Sequence, residues 1–380
     1  MELLAHGKTE IYLQLIEKVI NLGKTAIVLV PEISLTPQMV DRFLARFGDV
    51  IAILHSKLSI GERYDEWQKI KKGEAKIVIG ARSAIFAPVK NLGIIIMDEE
   101  HDMSYKSDTT PRYNAKDLAN YIAKENNCPF VLGSATPDIV TFYEAKETDK
   151  CNLHTLTKRA NEMKLPEIEI VDLRQELAEG NKSMISFRLQ QEIEKNLKDK
   201  KQTILFLNRR GYSTFLMCRD CGYVFKCKNC NISLTYHKSE NKLKCHYCGF
   251  ERFVPGNCDN CQSKKIKYFG TGTQKLEEEV HKIFPNSSTI RMDIDTVTKK
   301  NSHEEILNQF KNEKIDILIG TQMVVKGHHF PEVTLVGAIS ADGILNMEDY
   351  RATEKTFQTL VQVARAKWKR RTWKSNYSNL

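Results

Sequence analysis

Paired carboxylates stand directly after a short apolar run in the segment GIIIMDEEHD, from Gly93 to Asp102. The apolar residues are typical of a strand that is buried on both faces of a parallel sheet. Asp98 and Glu99 therefore emerge at the carboxyl end of a strand, which is where α/β sheets bind their ligands. Carboxylates in this position suit a hard cation and an activated water. The alternative is a buried strand that ends in a charged turn.

Gly7, Lys8 and Thr9 precede a segment with helical spacing and match the end of a phosphate-binding loop. In such a loop, backbone N–H groups and the lysine bind phosphates, while the hydroxyl binds magnesium. The full pattern also has a glycine five positions before Gly7, where this chain has Glu2. By itself, the tripeptide therefore does not establish a nucleotide site.

Eight of the ten cysteines form Cys-x-x-Cys pairs, the spacing that lets two thiolates share one tetrahedral zinc. Four pairs predict two closed Cys₄ sites with a structural role, with iron–sulfur clusters or redox thiols as alternatives. The spacing leaves open which pairs share a metal. Cys128 and Cys151 lie outside the pairs, and we expect both to be ordinary buried residues. The pairs are Cys218/Cys221, Cys227/Cys230, Cys245/Cys248 and Cys258/Cys261.

Aromatic and basic residues alternate between these cysteines. They could stack on a single nucleic-acid strand and neutralise its phosphates. Alternatively, the rings form the small core of the module and the lysines are solvated. The residues concerned are Tyr223, Phe225, Tyr236, Tyr247, Phe250 and Phe253, with Lys226, Lys228, Lys242 and Lys244.

Composition and charge favour a protein that binds a polyanion over a membrane-spanning or secreted protein. The 380 residues carry 57 Lys and Arg against 48 Asp and Glu, and this positive surplus favours a polyanionic partner. The longest apolar runs have the length of strands and are too short to span a bilayer. The first residues lack the pattern of a secretory signal. Paired cysteines in such a chain indicate metal binding in a reducing compartment.

Strand and helix patterns alternate in two series, which predicts two α/β lobes with parallel sheets between helices. The first series ends near residue 150, and the second begins at Ile168. The periodicity breaks between residues 149 and 166, where we place the domain boundary. Residues 218–261 interrupt the second series and are predicted to form a small inserted module.

Motifs from about residue 6 to residue 366 closely resemble those of the primosomal protein N′ (PriA) family of bacterial replication-restart helicases. The resemblance implies an α/β fold of two tandem RecA-like P-loop NTPase lobes, with a cysteine-rich two-zinc module inserted in the second lobe. It also implies a superfamily 2 helicase that uses ATP to move 3′ to 5′ on DNA at stalled forks, in primosome assembly and replication restart. Besides the eight-cysteine run, the matching segments are HGKTEIYLQ, LVPEISLTPQM, LHSKLSIGER, IGARSAIFAPVKNLGIIIMDEEHDMSYK, PRYNAKDLA, LGSATP, LNRRGYS, GTGTQKLEEEV, IGTQMVVKGHHFPEVTLVGAISAD and DYRATEKTFQTLVQVA.

From this resemblance we expect the first lobe over residues 1–157 and the second over residues 158–366. The zinc-binding insert is expected over residues 216–264, and residues 367–380 are expected to form an aberrant basic tail. The amino-terminal DNA-binding region and the carboxy-terminal domain of the family are expected to be absent from this chain.

The resemblance also implies roles in the nucleotide site. Lys8 would contact the β- and γ-phosphates, Thr9 and Asp98 would hold Mg²⁺, and Glu99 would orient the attacking water. These roles match what phosphoryl transfer requires, namely positioning and charge neutralisation.

Other residues are implied in coupling or in DNA contact. His101 and residues 102–111 resemble the family's loop that couples DNA contact to hydrolysis. The GSAT turn resembles the motif that links hydrolysis to lobe movement, and GTQMVVKG resembles a second-lobe motif that faces the DNA backbone. The residues concerned are Arg82, Ser83, Ser134, Thr136, Arg210, Gly320, Thr321, Gln322 and Lys326.

In the family, the cysteine pairs bind zinc in a nested way, the first pair with the fourth and the second with the third. The implied cofactors are two structural Zn²⁺ ions, and Mg²⁺ with ATP. The implied partners are single-stranded and forked DNA, the single-stranded-DNA-binding protein and other primosome proteins. The implied location is the bacterial cytoplasm, without membrane attachment.

Three departures from the family bear on activity. The phosphate loop lacks its glycine-rich first half, and His329 and Glu348 stand where the family usually has aspartate and proline. Residues 362–373 replace a motif that supplies an arginine to the transition state, and Arg365 is at the wrong spacing. Such an arginine is worth about a thousandfold to a hundred-thousandfold in rate.

These departures leave a second function open, a catalytically inactive remnant that still binds zinc and DNA. A DNA translocase of the competence type is a third hypothesis, although its cysteines are expected outside the second lobe. The tail from Lys367 to Leu380 also has two interpretations. Back-translated with A/T-rich codons and read one base later, it yields a family-like strand, which indicates a frameshift. The alternative is a genuine basic segment that binds nucleic acid.

Overall fold

The computed structural model of the chain contains two compact units, Met1–Lys164 and Leu165–Leu380. It describes residues 7–31, 37–56, 58–156, 167–207, 215–237, 240–269, 272–293, 302–321, 329–339, 345, 349–365, 367–368 and 373–377. Within these ranges, every helix is too short or too polar to cross a membrane.

The first unit is built on a five-stranded parallel sheet with the strand order β2-β3-β1-β4-β5. Its elements are α1 (Gly7–Asn21), β1 (Thr25–Leu29), α2 (Pro37–Phe47), β2 (Ile51–Leu54), α3 (Ile60–Lys72), β3 (Ile77–Gly80), β4 (Leu92–Asp98), α4 (Ala115–Glu125), β5 (Phe130–Gly133) and α5 (Ile139–Glu147).

Successive residues of the central strands β1 and β4 pack into different hydrophobic cores. Ile27 and Ile95 lie in the core that includes residues of α3 and α4, whereas Val28 and Ile96 lie in the core that includes residues of α1 and α2. Helices therefore cover both faces of the sheet, which explains the continuous apolar sequence of these strands.

The second unit contains a six-stranded parallel sheet with the order β13-β14-β7-β16-β18-β6. Helices α7 and α8 contribute to one core, and α9 and α10 contribute to the other. The elements of this α/β part are β6 (Ile168–Asp172), α6 (Leu173–Ala178), α7 (Phe187–Lys198), β7 (Gln202–Leu207), α8 (Thr273–Ile283), β13 (Thr289–Met292), α9 (Ser302–Asn312), β14 (Ile317–Gly320), β15 (His329–Phe330), β16 (Val333–Ile339), α10 (Ala352–Arg365), β17 (Lys367–Trp368) and β18 (Trp373–Tyr377).

A small antiparallel sheet interrupts the second unit between β7 and α8. The eight paired cysteines lie within it, from Cys218 at the end of its first strand to Cys261 before its last strand. Its five strands have the order β11-β10-β9-β8-β12. They are β8 (Phe215–Cys218), β9 (Thr235–His237), β10 (Lys242–Lys244), β11 (Glu251–Phe253) and β12 (Ile266–Phe269). Two α/β units with a cysteine-rich module in the second confirm the predicted fold class.

The structure also contains elements that the sequence patterns did not indicate. Helices α4 and α5 flank β5 in the first unit. Residues 373–377, within the predicted tail, form strand β18, which pairs in parallel with both β16 and β6. This part of the tail is therefore an integral strand of the sheet.

Candidate nucleotide site and zinc clusters

Three elements bring the predicted nucleotide-binding residues together at one edge of the first sheet. Helix α1 begins at Gly7 and carries Lys8 in its first turn. Strand β4 ends at Asp98, which pairs in register with Gly133 at the end of β5. Ser134 follows Gly133 directly. Because neighbouring parallel strands end at the same edge, the carboxylates and the serine turn lie side by side.

Lys8 bridges the two carboxylates. Its Nζ lies 3.1 Å from Asp98 Oδ1 and 2.7 Å from Glu99 Oε1. Burial lowers the pKa of Lys8, but the charges of Glu99 and Asp98 and the hydrogen bonds to them outweigh burial, so the pKa is raised. The ammonium group therefore stays charged, which is the form that neutralises phosphate oxygens. Thr9, the predicted magnesium ligand, is half-buried next to it.

Glu99 combines a strained backbone with an unpartnered oxygen. Its φ of 48° is in the left-handed region, which costs on the order of 1–3 kcal/mol for such a residue and is found mostly at functional sites. Oε1 contacts Lys8, whereas Oε2 is buried and makes no hydrogen bond within the described part of the chain. His101 Nδ1 is 3.7 Å from Oε2, too far for a hydrogen bond. A buried acceptor of this kind is suited to orienting a water.

Two tyrosines outside the predicted site residues hold Asp98. Tyr12 Oη donates to Asp98 Oδ1 at 2.9 Å. Tyr105 Oη lies 2.6 Å from the carbonyl oxygen of Asp98 and 3.0 Å from that of Leu29. Tyr12 follows Lys8 by four residues, so both lie on one face of α1. That spacing is a signal in the sequence from which Tyr12 could have been found.

The GSAT turn contacts the carboxylate segment through His101. His101 Nδ1 lies 2.7 Å from Ser134 Oγ, and Ser134 Oγ also accepts a hydrogen bond from the backbone N–H of Thr136 at 3.0 Å. The Thr136 hydroxyl is buried without a partner among the residues that the structure describes. The structure thus brings His101, Ser134 and Thr136 to the same edge as Lys8 and Glu99.

Arg82 is occupied by contacts within the first unit. Its Nη1 donates to the carbonyl oxygens of Ser104 and Lys106, and its guanidinium stacks on Tyr113 at 5.5 Å from the ring centroid. These contacts hold the loop that follows β4, while Ser83 is exposed next to Arg82. An open groove of about 450 Å³ runs along this loop and is lined by Lys106, Ser107, Asp108, Arg112, Tyr113 and Asn114.

The predicted second-lobe residues are only partly described. Gly320 ends strand β14, and Thr321 follows it half-buried. Arg210, Gln322 and Lys326 lie outside the described residues.

The paired cysteines form two clusters in which all four Sγ atoms lie within 4.8 Å of one another. Contacts between Cys218 and Cys261 and between Cys221 and Cys258 are both 3.6 Å, and Cys227 and Cys248 are 3.5 Å apart. The edge of a tetrahedron with Zn–S distances of about 2.3 Å is about 3.8 Å. The clusters therefore fit two structural zinc ions and are nested, with the first pair beside the fourth and the second beside the third.

The thiols of the inner cluster differ in acidity. The backbone N–H of Phe250 contributes most to lowering the pKa of Cys248 to about 6. The hydrogen bond between the Cys230 and Cys248 thiols contributes most to raising the pKa of Cys230 to about 12. The hydrogen bond between these two thiols thus favours ionisation of Cys248 and opposes that of Cys230, and a bound divalent cation would supply the positive charge that lets both ionise.

Cysteines outside the clusters correct one expectation. Cys151 is exposed and Cys128 is half-buried, so neither is a fully buried residue. Cys151 follows the end of α5 in an exposed segment without regular structure, residues 151–156.

The aromatic residues of the zinc module divide between its core and its surface. Phe225 is fully buried, and Tyr223 packs edge-on against it with centroids 5.3 Å apart. In contrast, Tyr247 is 68% exposed and Phe253 is 72% exposed. Lys242 Nζ lies 5.5 Å from the ring centroid of Phe253. Tyr223 and Phe225 therefore belong to the core of the module, whereas Tyr247 and Phe253 are surface rings, for which stacking on nucleic acid stays a prediction.

Family models match successive parts of the chain. A DEAD/DEAH box helicase model matches residues 5–144, and a helicase conserved C-terminal domain model matches residues 252–365. The model of the PriA DNA helicase Cys-rich region matches residues 227–252, which contain the inner cysteine cluster.

Curated relatives match over almost the whole chain. Replication restart protein PriA of Bacillus subtilis (strain 168) is 55% identical over 358 residues, which are 94% of this chain and 44% of that protein. The PriA proteins of Synechocystis and Treponema pallidum are 46% and 44% identical, over 94% of this chain and 44% and 53% of their own lengths. The resemblance to the PriA family is confirmed. The chain spans about half the length of the PriA relatives it matches.

Solved structures support the same fold. The chain aligns with the DUF1998 helicase MrfA bound to DNA at a TM-score of 0.55, with 14% identity, over 99% of this chain and 43% of that one. It aligns with the DEAD-box helicase Mss116 bound to ssRNA at 0.53, with 14% identity, over 98% of this chain and 64% of that one. These likenesses, with the PriA-type cysteine module, show two tandem RecA-like lobes with a zinc-binding insert.

Proposed function

We propose that this chain is the ATP-driven core of a PriA-type DNA helicase that moves 3′ to 5′ along DNA. The observation that carries the proposal is the contact of Lys8 with Asp98 and Glu99 beside the serine turn, with one buried oxygen of Glu99 left unpartnered. The name of the PriA relatives, replication restart protein, supports a role in replication restart. Action at stalled forks and in primosome assembly is proposed from the family resemblance.

Each residue of the site has a separate role in phosphoryl transfer. Bound Mg²⁺ with ATP supplies the γ-phosphate and neutralises part of its charge. Lys8, which contacts Asp98 and Glu99, would neutralise phosphate oxygens of bound ATP, and Thr9 and Asp98 would hold the cation. Glu99 Oε2 orients the attacking water and can accept its proton, because Oε2 has no other partner among the described residues. Gly7 opens the helix whose first N–H groups face phosphate.

DNA contact is assigned to two surfaces. The groove along the loop after β4 presents Lys106 and Arg112, which can neutralise phosphates. In the zinc module, the exposed rings of Tyr247 and Phe253 can stack on unpaired bases. Arg210, Gln322 and Lys326 are proposed as further contacts from the family resemblance alone.

The remaining assignments are part of the same proposal. We assign residues 1–157 to the first lobe, residues 158–366 to the second lobe and residues 216–264 to the zinc-binding insert. The partners are single-stranded and forked DNA, the single-stranded-DNA-binding protein and other primosome proteins. The compartment is the bacterial cytoplasm.

An ATPase assay with and without single-stranded DNA tests the enzyme. We expect turnover that requires Mg²⁺, rises with DNA and is abolished by Lys8→Ala or Glu99→Gln. Lys18→Ala and Glu125→Gln change exposed residues of α1 and α4 and serve as matched controls. Unwinding of duplexes with a 3′ or a 5′ overhang then tests the direction.

A catalytically inactive remnant is the second candidate. Helix α10 ends at Arg365, within residues 362–373 that replace the arginine-bearing motif of the family. No turnover above background in the unmodified chain, together with bound zinc and retained DNA binding, would establish the remnant in place of the enzyme.

A further inference from the structure

Glu100 follows Glu99 in the chain, and its side chain is only 2% exposed. Its carboxylate accepts hydrogen bonds from Lys116 Nζ at 2.5 Å, from the backbone N–H of Asp138 at 2.7 Å and from Thr141 Oγ1 at 3.2 Å. A carboxylate this deeply buried is tolerated only when it is paired and hydrogen-bonded. Donors from α4, from the residue before α5 and from α5 itself fix its position.

The same residue holds both ends of the segment 134–137. The backbone N–H of Glu100 donates to the carbonyl oxygen of Gly133 at 3.2 Å. Oε1 of Glu100 accepts from the N–H of Asp138, which is the N-cap residue of α5 and itself accepts from the Val140 N–H. The four residues between Gly133 and Asp138 are thus held at both ends by one residue.

The segment 134–137 includes Ser134, whose side chain contacts the turn that carries Glu99, Glu100 and His101 (the carboxylate turn). Ser134 Oγ lies 2.7 Å from His101 Nδ1, and that nitrogen lies 3.7 Å from Glu99 Oε2. His101 and Glu99 are the two chain neighbours of Glu100. The contacts therefore form a closed ring that runs from Glu100 through the segment 134–137 and His101 back to Glu100. A shift of the segment therefore changes the surroundings of Glu99 Oε2.

We propose that Glu100 is a positioning residue for ATP hydrolysis, which clamps the segment 134–137 so that Ser134 holds His101 beside Glu99. Lys116 is its counter-charge. The inference rests on the proposed ATPase function and assigns a role to the third acidic residue of the sequence DEEH. The described side-chain contacts of Glu100 come from Lys116, Asp138 and Thr141 rather than from α1. Its loss should therefore lower kcat and leave the KM for ATP unchanged.

The kinetic test uses the full chain with Glu100→Ala and Glu100→Gln. We expect Glu100→Ala to lower kcat at least about tenfold, the equivalent of about 1.4 kcal/mol, with the KM for ATP within about twofold. We expect Glu100→Gln to retain most of the activity, because the amide oxygen can still accept from the N–H of Asp138. Equal defects in both variants, with KM raised in parallel, would overturn the clamp.

Glu66→Ala is a matched control in the same unit. Glu66 Oε2 accepts from the backbone N–H of Ile53 at 2.8 Å, on strand β2 at the opposite edge of the sheet. The variant removes the same kind of bond, a carboxylate to a backbone N–H, far from β5. We expect it to leave kcat within about twofold, and a tenfold loss would point to general destabilisation instead of positioning.

A second pair of variants keeps the test valid if Glu100→Ala does not fold. Asp138 has φ of −56°, which proline can adopt, so Asp138→Pro removes the N–H that Glu100 accepts from. Asp138→Ala removes only the side-chain cap. The clamp predicts a larger loss of kcat for Asp138→Pro than for Asp138→Ala, and equal losses contradict it.

Amide hydrogen exchange gives a readout that does not depend on activity. We expect the Asp138 amide to be protected in the unmodified chain, in Glu100→Gln and in Glu66→Ala, and to lose protection in Glu100→Ala. Unchanged protection and unchanged kcat in Glu100→Ala overturn the inference. If the unmodified chain does not hydrolyse ATP, the proposed function fails while the exchange experiment still tests the clamp.

Discussion

Tyr12 Oη donates a hydrogen bond to Asp98 Oδ1 at 2.9 Å. The hydroxyl lies where a side chain on Gly133 would otherwise be, because a Cβ built there would be 1.5 Å from Tyr12 Oη. Helix α1 and strands β4 and β5 therefore meet at this hydrogen bond. Asp98 Oδ1 also accepts from Lys8, so two residues of α1 fix the predicted magnesium ligand.

Tyr12→Phe is expected to weaken the cation site without disrupting the fold. Removal of a group that orients a metal ligand costs about tenfold to a hundredfold in metal affinity or activity. We expect the Mg²⁺ concentration for half-maximal ATPase to rise about tenfold, and the free energy of unfolding to fall by about 1 kcal/mol. Tyr121→Phe, on an exposed residue of α4, is the control. An unchanged Mg²⁺ dependence in Tyr12→Phe contradicts the role of the tyrosine.

Gly133→Ala is expected to destabilise the first unit through Tyr12. The added methyl group overlaps the tyrosine hydroxyl, and overpacking of this kind costs about 1–3 kcal/mol. In the Tyr12→Phe background the overlap with Oη is gone, although the Cζ position at 2.8 Å remains tight. We therefore expect a smaller loss there, measured by urea denaturation as a double-mutant cycle. Additive losses would show that the two positions do not interact.

The central strands of both lobes and the eight cysteines could be predicted because their patterns are local. Strands covered on both faces are continuously apolar. The periodicity of the sequence predicts a helix over 60–72 and strands over 77–80 and 130–133, which are the bounds of α3, β3 and β5. Helix α4 has a weak signal in the sequence because its buried residues are alanines, which contrast little with the polar face. Helix α5 has no fully buried residue, and strand β18 is polar and owes its place to pairing with β16 and β6.

The residues of the site that belong to sequence motifs could be predicted, whereas the residues that support them could not. Lys8, Asp98 and Glu99 were found from residue types and order, but the contacts of Tyr12 and Glu100 depend on which strands and helices become neighbours. The identical spacing of the four cysteine pairs leaves three arrangements. The family resemblance implies the nested one, and the positions of the Sγ atoms confirm it.

Zinc stoichiometry tests the nested arrangement. We expect two zinc ions per chain and one in either Cys218→Ser or Cys227→Ser. The double variant Cys218→Ser/Cys258→Ser should also keep one, because both residues belong to the outer cluster. Cys218→Ser/Cys227→Ser should keep none. Metal analysis of the purified chains measures this, with Cys151→Ser as a control that retains both ions.

Removal of both ions is expected to unfold the zinc module selectively. A structural zinc contributes about 10–16 kcal/mol of folding free energy, comparable to the stability of a whole domain. A chelator should therefore abolish protection of the strands β8 to β12 in amide exchange while the first unit stays folded. Retained protection after complete loss of zinc would mean that the module's apolar core suffices.

Stability is expected to fall in strongly alkaline solution because of groups around Asp98. Burial, followed by the charge of Asp98, raises the pKa of Tyr12 above its ordinary value of 10.0, and Tyr105 shifts in the same direction for the same reasons. The pKa of Lys8 is also raised above 10.5, although burial opposes the shift. The unfolded chain thus releases these protons before the folded chain does. The stability they contribute is present below about pH 10 and is lost as the pH rises above it.

Tyr12→Phe isolates one of these groups. The variant shares every other titrating group with the unmodified chain, so the difference between their pH profiles reports on Tyr12. Each such proton contributes up to about 1.4 kcal/mol per pH unit to the slope of unfolding free energy against pH. We expect urea denaturation between about pH 9 and 11.5 to show a shallower decline in Tyr12→Phe, by up to that amount. Parallel declines would mean that the Tyr12 hydroxyl ionises as readily in the folded chain as in the unfolded chain, and would exclude its hydrogen bond to Asp98.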